Sequence, residues 1–203
     1  MQNAQSPLST PLRAGIFLIL ALVMLATRVN HFAALPDASW AVFFVAGFYL
    51  RGAAKWAFPA LMALAVLTDF FVITSQGMNF WSHYCVSPAY WFLLPSYGAL
   101  WFGGSWLRGG YAGLQPRELA RLAGSAIVAA SVCYLLSNGS FYWISDSVPA
   151  RSLGGWMQNL GDWYLPYLRT TLMYVGIAAA LHVATTLAAE TLSADGARSG
   201  AHR

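Results

Sequence analysis

Charged side chains are scarce in this sequence. Asp, Glu, Lys and Arg supply 9% of its 203 residues, whereas they supply about a quarter of an ordinary soluble domain. Hydrophobic residues supply 58%. So few charges cannot solvate the surface of a soluble globule, and the composition also excludes disordered, collagenous and coiled-coil proteins. The sequence therefore predicts one compact domain that lies in a lipid bilayer.

Cysteines and the common catalytic motifs are also few or missing. Two cysteines are too few for a disulfide scaffold. The sequence holds no Walker A loop, no H-E-x-x-H and no G-x-S-x-G, so it gives no support for ATP hydrolysis or for the common membrane hydrolases. The net charge of +4 forms no basic patch for nucleic acid, and we expect no nucleic-acid partner.

Six hydrophobic stretches predict the fold. A helix needs about 20 mostly apolar residues to cross a bilayer, and six stretches meet or approach that length. We therefore predict an all-α, polytopic membrane protein with a bundle of six transmembrane helices within residues 1–192. A polar tail, 193–203, is expected to be disordered. The predicted helices are 12–27, 40–50, 56–73, 89–107, 119–137 and 163–189.

Proline, glycine and asparagine suggest local details of these helices. The second predicted helix is short, so we expect it to begin earlier, near Pro36 or Asp37, with proline in its first turn. Gly103 and Gly104 are expected to mark a kink in the fourth helix. Asn138 begins a sequence, Asn-Gly-Ser, that favours a turn after the fifth helix.

The basic residues predict the orientation in the membrane. Short cytoplasmic loops carry an excess of Lys and Arg, and here eight basic residues fall on one side of the predicted bundle and three on the other. Both termini are therefore expected in the cytoplasm. Residues 14–26 could alternatively be the core of a secretory signal, although no clear cleavage site follows them. The larger set is Arg13, Arg51, Lys55, Arg108, Arg117, Arg121, Arg198 and Arg203; the smaller set is Arg28, Arg151 and Arg169.

Chemically interesting side chains concentrate in the predicted outer loops, after helices one, three and five. They include His31, His83, Cys85 and many aromatic residues, some of which fit an interfacial belt. Cys85 has three interpretations: a buried inert thiol, a disulfide with Cys133, or a thiolate ligand for a metal. His83 and Cys85 supply two donors, whereas a structural zinc site needs four.

Asp69 is an ionisable residue within the third hydrophobic stretch. Such residues are functional candidates by default and need a partner, for which Arg28, His31 and Arg151 are available on the same predicted side. A purely structural ion pair, or a carboxylate at the helix end that reaches water, is the alternative. His182, in the last predicted helix, is interpreted as a hydrogen-bonded histidine of the bundle or a helix-end group rather than a ligand.

Four stretches of the chain carry a family resemblance. They are LPDASWAVFFVAGFYLRG at 35–52, the helix that contains Asp69, SHYCVSPAYW at 82–91, and the aromatic-rich segment after the fifth helix. Together they resemble the BtuM family, whose members are solitary substrate-binding (S) components related to energy-coupling-factor vitamin transporters. The resemblance runs from Arg28 to about His182, and the Cys85 stretch is its most specific part.

The resemblance implies a six-helix S-component fold in the bacterial inner membrane that binds cobalamin in an outer cavity and moves it into the cytoplasm. Loops one, three and five would form the walls of that cavity. In that family the loop cysteine is placed to coordinate cobalt, and Cys85 matches it. The other residues that we expect to bind cobalamin are His31, Asp69, Tyr90, Arg151, Tyr84 and Tyr142.

The chemistry of a corrinoid agrees with a lone cysteine. The corrin ring already supplies four nitrogen ligands to cobalt, so one protein thiolate is sufficient, and Tyr or Trp side chains can stack on the ring. A soft donor could also help to remove an upper ligand such as cyanide. No permanent cofactor is expected, since the cobalt arrives within the substrate.

The first predicted helix argues against a dedicated coupling ATPase. Coupled S-components dock through an Ala-x-x-x-Ala surface on that helix, whereas the nearest alanines here, Ala21 and Ala26, are five apart. Two other functions stay open at this point. One is a membrane redox or haem protein with His31, His83 or His182 as axial ligands, and the other is a non-catalytic accessory subunit with structural cysteines.

Overall fold

The structure, a computed structural model, describes residues 8–29, 36–83 and 86–200, with side chains as far as Ser193. These residues form helices and no strand, which confirms the all-α prediction. The α-helices are α1 (Thr10–Val29), α2 (Ser39–Leu50), α3 (Ala54–Ser75), α4 (Leu93–Gly109), α5 (Pro116–Ile144) and α6 (Leu153–Gly200), and short 3₁₀ helices cover Arg51–Ala53, Phe80–Ser82 and Pro88–Phe92.

Contacts at one end of the bundle give the direction of the first four helices. Arg28, in the last turn of α1, hydrogen-bonds to Ser39 at the start of α2, to Asp69 near the end of α3 and to Tyr97 near the start of α4. Successive helices therefore run in opposite directions. We call this end the outer end, following the charge distribution of the loops.

The opposite end is defined by a second set of contacts. The imidazole of His182 in α6 lies within hydrogen-bonding distance of the hydroxyls of Tyr49, at the end of α2, and of Tyr111, which follows α4. The ends of α2 and α4 thus meet α6 here. We call this the inner end.

Four helical segments are long and apolar enough to cross a membrane, which supports the predicted membrane location. They are Thr10–Val29, Ser39–Ser75, Pro116–Ile144 and Leu153–Ser193, and the second of them contains both α2 and α3. Six crossings were predicted. α2 has 12 residues, or about 18 Å of helix, and nine of the 12 are buried inside the protein. α4 has 17 residues.

Glycines allow α2 and α4 to pack at unusually short range. A Cβ atom on Gly47 would collide with the backbone of Trp101, and one on Gly104 would collide with the backbone of Phe44. Backbones approach this closely only where side chains are missing. α4 is continuous through Gly103 and Gly104, and these glycines form packing contacts with α2 and α5.

The fifth and sixth helices are longer than the sequence suggested. α5 continues seven residues past the predicted end at 137, to Ile144, and α6 begins at Leu153 instead of 163. Asn138 therefore lies inside α5, and the predicted turn there is wrong. Its side-chain amide donates to the Asn159 side chain of α6 (2.6 Å). α6 also continues to Gly200, where the sequence predicted a disordered tail from 193.

The start of α2 also differs from the expectation. The helix begins at Ser39, so Pro36 and Asp37 precede it instead of forming its first turn. The Asp37 carboxylate accepts hydrogen bonds from the Ser39 backbone N–H (2.9 Å) and hydroxyl (2.6 Å). Asp37 thereby satisfies one of the otherwise unpaired N–H groups of the first helical turn.

We expect Gly104→Ala to destabilise the protein by about 1–3 kcal/mol, because the new methyl group overpacks a backbone contact. Gly98→Ala is the matched control: it lies in the same helix, and nothing approaches its Cβ position within 4 Å. Thermal unfolding in detergent measures both. Equal midpoints for the two variants would contradict the close α2–α4 contact.

Candidate functional site

A buried arginine organises the outer end of the bundle. The side chain of Arg28 is 7% exposed. Its Nε and Nη2 atoms each donate to one oxygen of Asp69 at 2.6 Å, which is the bidentate geometry of a strong ion pair. Its Nη1 donates to Asp37 (3.0 Å), Ser39 (3.1 Å) and Tyr97 (3.1 Å). One guanidinium therefore links α1, α3, α4 and the start of α2.

This cluster answers the question of which residue pairs with Asp69. Of the three partners considered from the sequence, Arg28 binds the carboxylate. Arg151 lies in the connection between α5 and α6, and His31 is outside the described residues. Two carboxylates face one guanidinium, so hydrogen-bond donors must stabilise the remaining negative charge. Tyr90 supplies one by donating its hydroxyl to Asp69 at 2.7 Å. Burial, and then the Asp69 charge, raise the pKa of Tyr90, so its phenol keeps the proton that it donates.

The segment that carries Cys85 is anchored on this cluster from both sides. Phe80 is buried before it, where its ring packs edge-on against Phe70 and Tyr90. Tyr90 follows Cys85 by five residues and reaches Asp69. The two described neighbours of residues 84–85 are also bonded to each other, since the Val86 N–H donates to the His83 carbonyl at 2.8 Å. The residues directly before and after 84–85 therefore both lie at the outer end.

Three predicted site residues, His31, Tyr84 and Cys85, lie outside the residues that the structure describes. Of the others, Asp69 and Tyr90 are brought together.

Tyr142 and Arg151 form a separate group in the connection between α5 and α6. The Tyr142 hydroxyl donates to the carbonyl of Ser152 (3.1 Å) and accepts from its N–H (3.2 Å), and Arg151 donates to the carbonyl of Ser145 (2.9 Å). Both therefore stabilise that connection.

Two other residues from the sequence analysis have clear structural roles. Cys133 carries a free thiol that is completely buried, so the disulfide with Cys85 is not formed. His182 is engaged through both ring nitrogens, by Tyr49 at 2.7 Å and Tyr111 at 2.8 Å. It is the hydrogen-bonded bundle histidine that the sequence predicted, and it lies at the opposite end from His83.

Sequence reasoning did not anticipate the contributions of Asp37 and Tyr97. A signal for Asp37 was present, because an arginine at the end of one hydrophobic stretch was followed nine residues later by an aspartate before the next. The tyrosine gave no such signal, since Tyr97 is one of ten in an aromatic-rich chain. Among the described side chains, no group of three His, Cys, Asp or Glu could hold a metal ion.

A cavity of about 310 Å³ lies at the inner end, between α2, α4, α5 and α6. The sequence analysis expected a cavity at the outer end. None of the predicted site residues lines this inner cavity, whereas His182 does.

Comparison with known proteins assigns no family: no family model matches the sequence, and no curated protein matches it. The fold and the outer cluster define the class of this chain as an all-α membrane protein with a buried ionic cluster at one end of its helices.

We expect Arg28→Met to lower the free energy of unfolding by about 3–5 kcal/mol, because the buried Asp37 and Asp69 carboxylates lose their cation. Arg151→Met is the control, since that arginine lies 4.0 Å from an exposed Asp146, where an ion pair contributes little. Chemical unfolding followed by tryptophan fluorescence measures both. Similar losses in the two variants would contradict the assigned role of the cluster.

Proposed function

We propose that this protein is a solitary, S-component-like transporter that binds cobalamin at its outer face and moves it into the cytoplasm, with Cys85 as an axial ligand of the cobalt. The all-α architecture and the alternating direction of α1 to α4 agree with the fold that the resemblance implies. In this proposal the helices make six crossings of a bacterial inner membrane, and both termini face the cytoplasm.

The observation that carries the proposal is the anchoring of the segment around Cys85. Phe80 and Tyr90 hold its two ends against a buried ion pair. A cobalt ion within a corrin ring needs only one protein donor, but that donor must be held in place for the bond to outweigh the entropy of ordering a loop. Phe80 and Tyr90 restrain the chain on either side of Cys85, and in this proposal that restraint lowers the entropic cost of the bond.

The contacts refine the roles of the other candidate residues. Asp69 and Tyr90 are saturated by each other and by Arg28, so we assign them as positioning residues for the Cys85 segment. Tyr142 and Arg151 shape the neighbouring connection between α5 and α6. His31 and Tyr84 keep their proposed role as direct contacts of the corrinoid.

Removal of an upper cyanide ligand would be a ligand exchange without a change of oxidation state. The Cys85 sulfur forms a bond to trivalent cobalt, and the bond from cobalt to cyanide breaks with its electron pair on the cyanide. The proton of the thiol leaves with the cyanide as hydrogen cyanide. A thiolate is a soft, electron-rich donor, which weakens the bond on the opposite side of the metal.

Transport in this proposal needs no dedicated coupling ATPase. Cobalamin would move down its gradient, and binding or conversion inside the cell would keep the movement one-way. For the alternative function as a haem protein, one candidate pair of axial ligands is excluded. His83 and His182 lie at opposite ends of the bundle, so they cannot bind the same iron.

Absorption spectra test the cobalt ligand directly. We expect cobalamin added to the purified wild-type protein to show shifted visible bands and Cys85→Ser to abolish the shift, because a sulfur–cobalt bond alters the electronic transitions of the corrin. Cys133→Ser is the matched control and should keep the shift, since Cys133 is buried within the bundle. Identical spectra for wild type and Cys85→Ser would refute the ligand assignment.

Tyr90→Phe tests the positioning role. Removal of one hydroxyl that bonds to a carboxylate should weaken cobalamin binding roughly tenfold, while the spectrum at saturation stays that of the wild type, because the sulfur–cobalt bond still forms. Tyr111→Phe removes a hydroxyl at the inner end and should leave the affinity unchanged. A wild-type affinity in Tyr90→Phe would contradict this role, and titration followed by the visible bands measures it.

A further inference from the structure

The inner cavity has a wall suited to hydrocarbon. It is enclosed by α2, α4, α5 and α6, and apolar side chains such as Phe44, Leu122 and Val175 form most of its surface. Its volume of about 310 Å³ is at the small end of the range for ligand pockets. A corrinoid is far too large for it, so this cavity is distinct from the site proposed above.

Four of the five polar side chains in the wall already have partners within the protein, and the fifth, Gln115, is exposed. The hydroxyls of Tyr49 and Tyr111 engage both nitrogens of His182. The Glu118 carboxylate is paired with Arg117 (3.4 Å) and Arg121 (3.1 Å). These groups therefore need no hydrogen bond from a ligand. An apolar chain can occupy the cavity while each of them keeps its partner.

The mouth of the cavity opens towards the lipid. Leu119 of α5 and Val183 of α6 both line it and are 68% and 41% exposed, respectively. Exposed apolar side chains on membrane helices face the hydrocarbon of the bilayer. A lipid chain can thus enter from the side without crossing water.

Two arginines lie at the inner end of helices that form this apolar wall: Arg108 follows the wall residue Leu107 in α4, and Arg51 directly follows α2. The Arg108 guanidinium stacks over the rings of Phe48 (5.1 Å) and Tyr111 (5.9 Å), which line the cavity. Arg51 reaches the end of α4, with Nη1 3.0 Å from the Cβ position of Gly109. In the described parts of the chain, no carboxylate forms an ion pair with Arg51 or Arg108. A stacked guanidinium keeps N–H groups for an anion.

We propose that this cavity binds one acyl chain of an anionic phospholipid from the cytoplasmic leaflet, with the lipid phosphate held by Arg51 and Arg108. The apolar wall takes the chain, and the two arginines select the charge of the headgroup. The inner end is the one that the basic residues assign to the cytoplasm, where anionic lipids meet such clusters.

Native mass spectrometry of the full chain in detergent tests the choice of headgroup. Phosphatidylglycerol should bind about 25-fold more tightly than phosphatidylcholine with the same acyl chains, since two arginines each contribute about fivefold. Arg51→Gln and Arg108→Gln should each weaken phosphatidylglycerol roughly fivefold. Lys55→Gln removes an exposed charge from α3, a helix that contributes no residue to the cavity wall, and should have no effect. Equal affinity for the two lipids, or an equal loss in Lys55→Gln, would overturn the proposal.

Variants that fill the cavity test the acyl chain. Ala178→Leu and Ala179→Phe, on the α6 wall, leave both arginines in place and should reduce lipid binding. A second arm uses glycerophosphoglycerol, the deacylated headgroup, which should bind far more weakly than the intact lipid. Unchanged lipid binding in a folded filled variant, or headgroup binding as tight as that of the lipid, would show that the chain does not enter. Cobalamin spectra of these variants should match the wild type, which separates this proposal from the function proposed above.

Discussion

The outer half of this protein depends on one buried cation. Arg28 is surrounded by two carboxylates, a serine and a tyrosine at distances of 2.6–3.1 Å. In a medium of low polarity, removing one partner leaves an uncompensated charge that costs several kcal/mol, so the members stay together or separate together. Four helices contribute to the cluster, and their outer ends are therefore fixed relative to one another.

The two ends of the molecule differ in how their charged side chains are paired. At the outer end charges are buried and saturated, which suits a rigid support for the Cys85 segment. At the inner end Arg51 and Arg108 have no carboxylate partner among the described residues, and Arg108 stacks on a ring of the apolar cavity wall. Between the two ends, glycines bring the backbones of α2 and α4 into direct contact. In the proposed transport cycle, we therefore expect movement in elements outside the α2–α4 pair.

The sequence was informative where hydrophobicity alone decides the structure. The third stretch was predicted as 56–73 and is observed as Ala54–Ser75, and the need of Asp69 for a cation followed from its place among apolar residues. It misled around Asn138, where polar residues suggested a turn but the helix continues, and the Asn138 side-chain NH₂ group donates to Asn159 of α6. Gly98 and Gly104 show the limit clearly. The sequence does not show that a Cβ atom would collide with a backbone at Gly104 and meet open space at Gly98, because the position of α2 decides this.

The candidate site also depends on contacts that the sequence does not reveal. A single cysteine can bind a ligand effectively only if other residues restrain the loop that carries it. Fixing a residue in one conformation costs about 1–2 kcal/mol, and a free loop would bear that cost each time it bound a ligand. Tyr90 is already ordered when the protein folds, because its hydroxyl donates a hydrogen bond to Asp69. Part of the entropic cost is therefore met on folding instead of on binding. In the proposed function, the cluster that stabilises the buried Arg28 also restrains the chain beside Cys85 through Tyr90, so the same interaction would contribute to stability and to cobalamin binding.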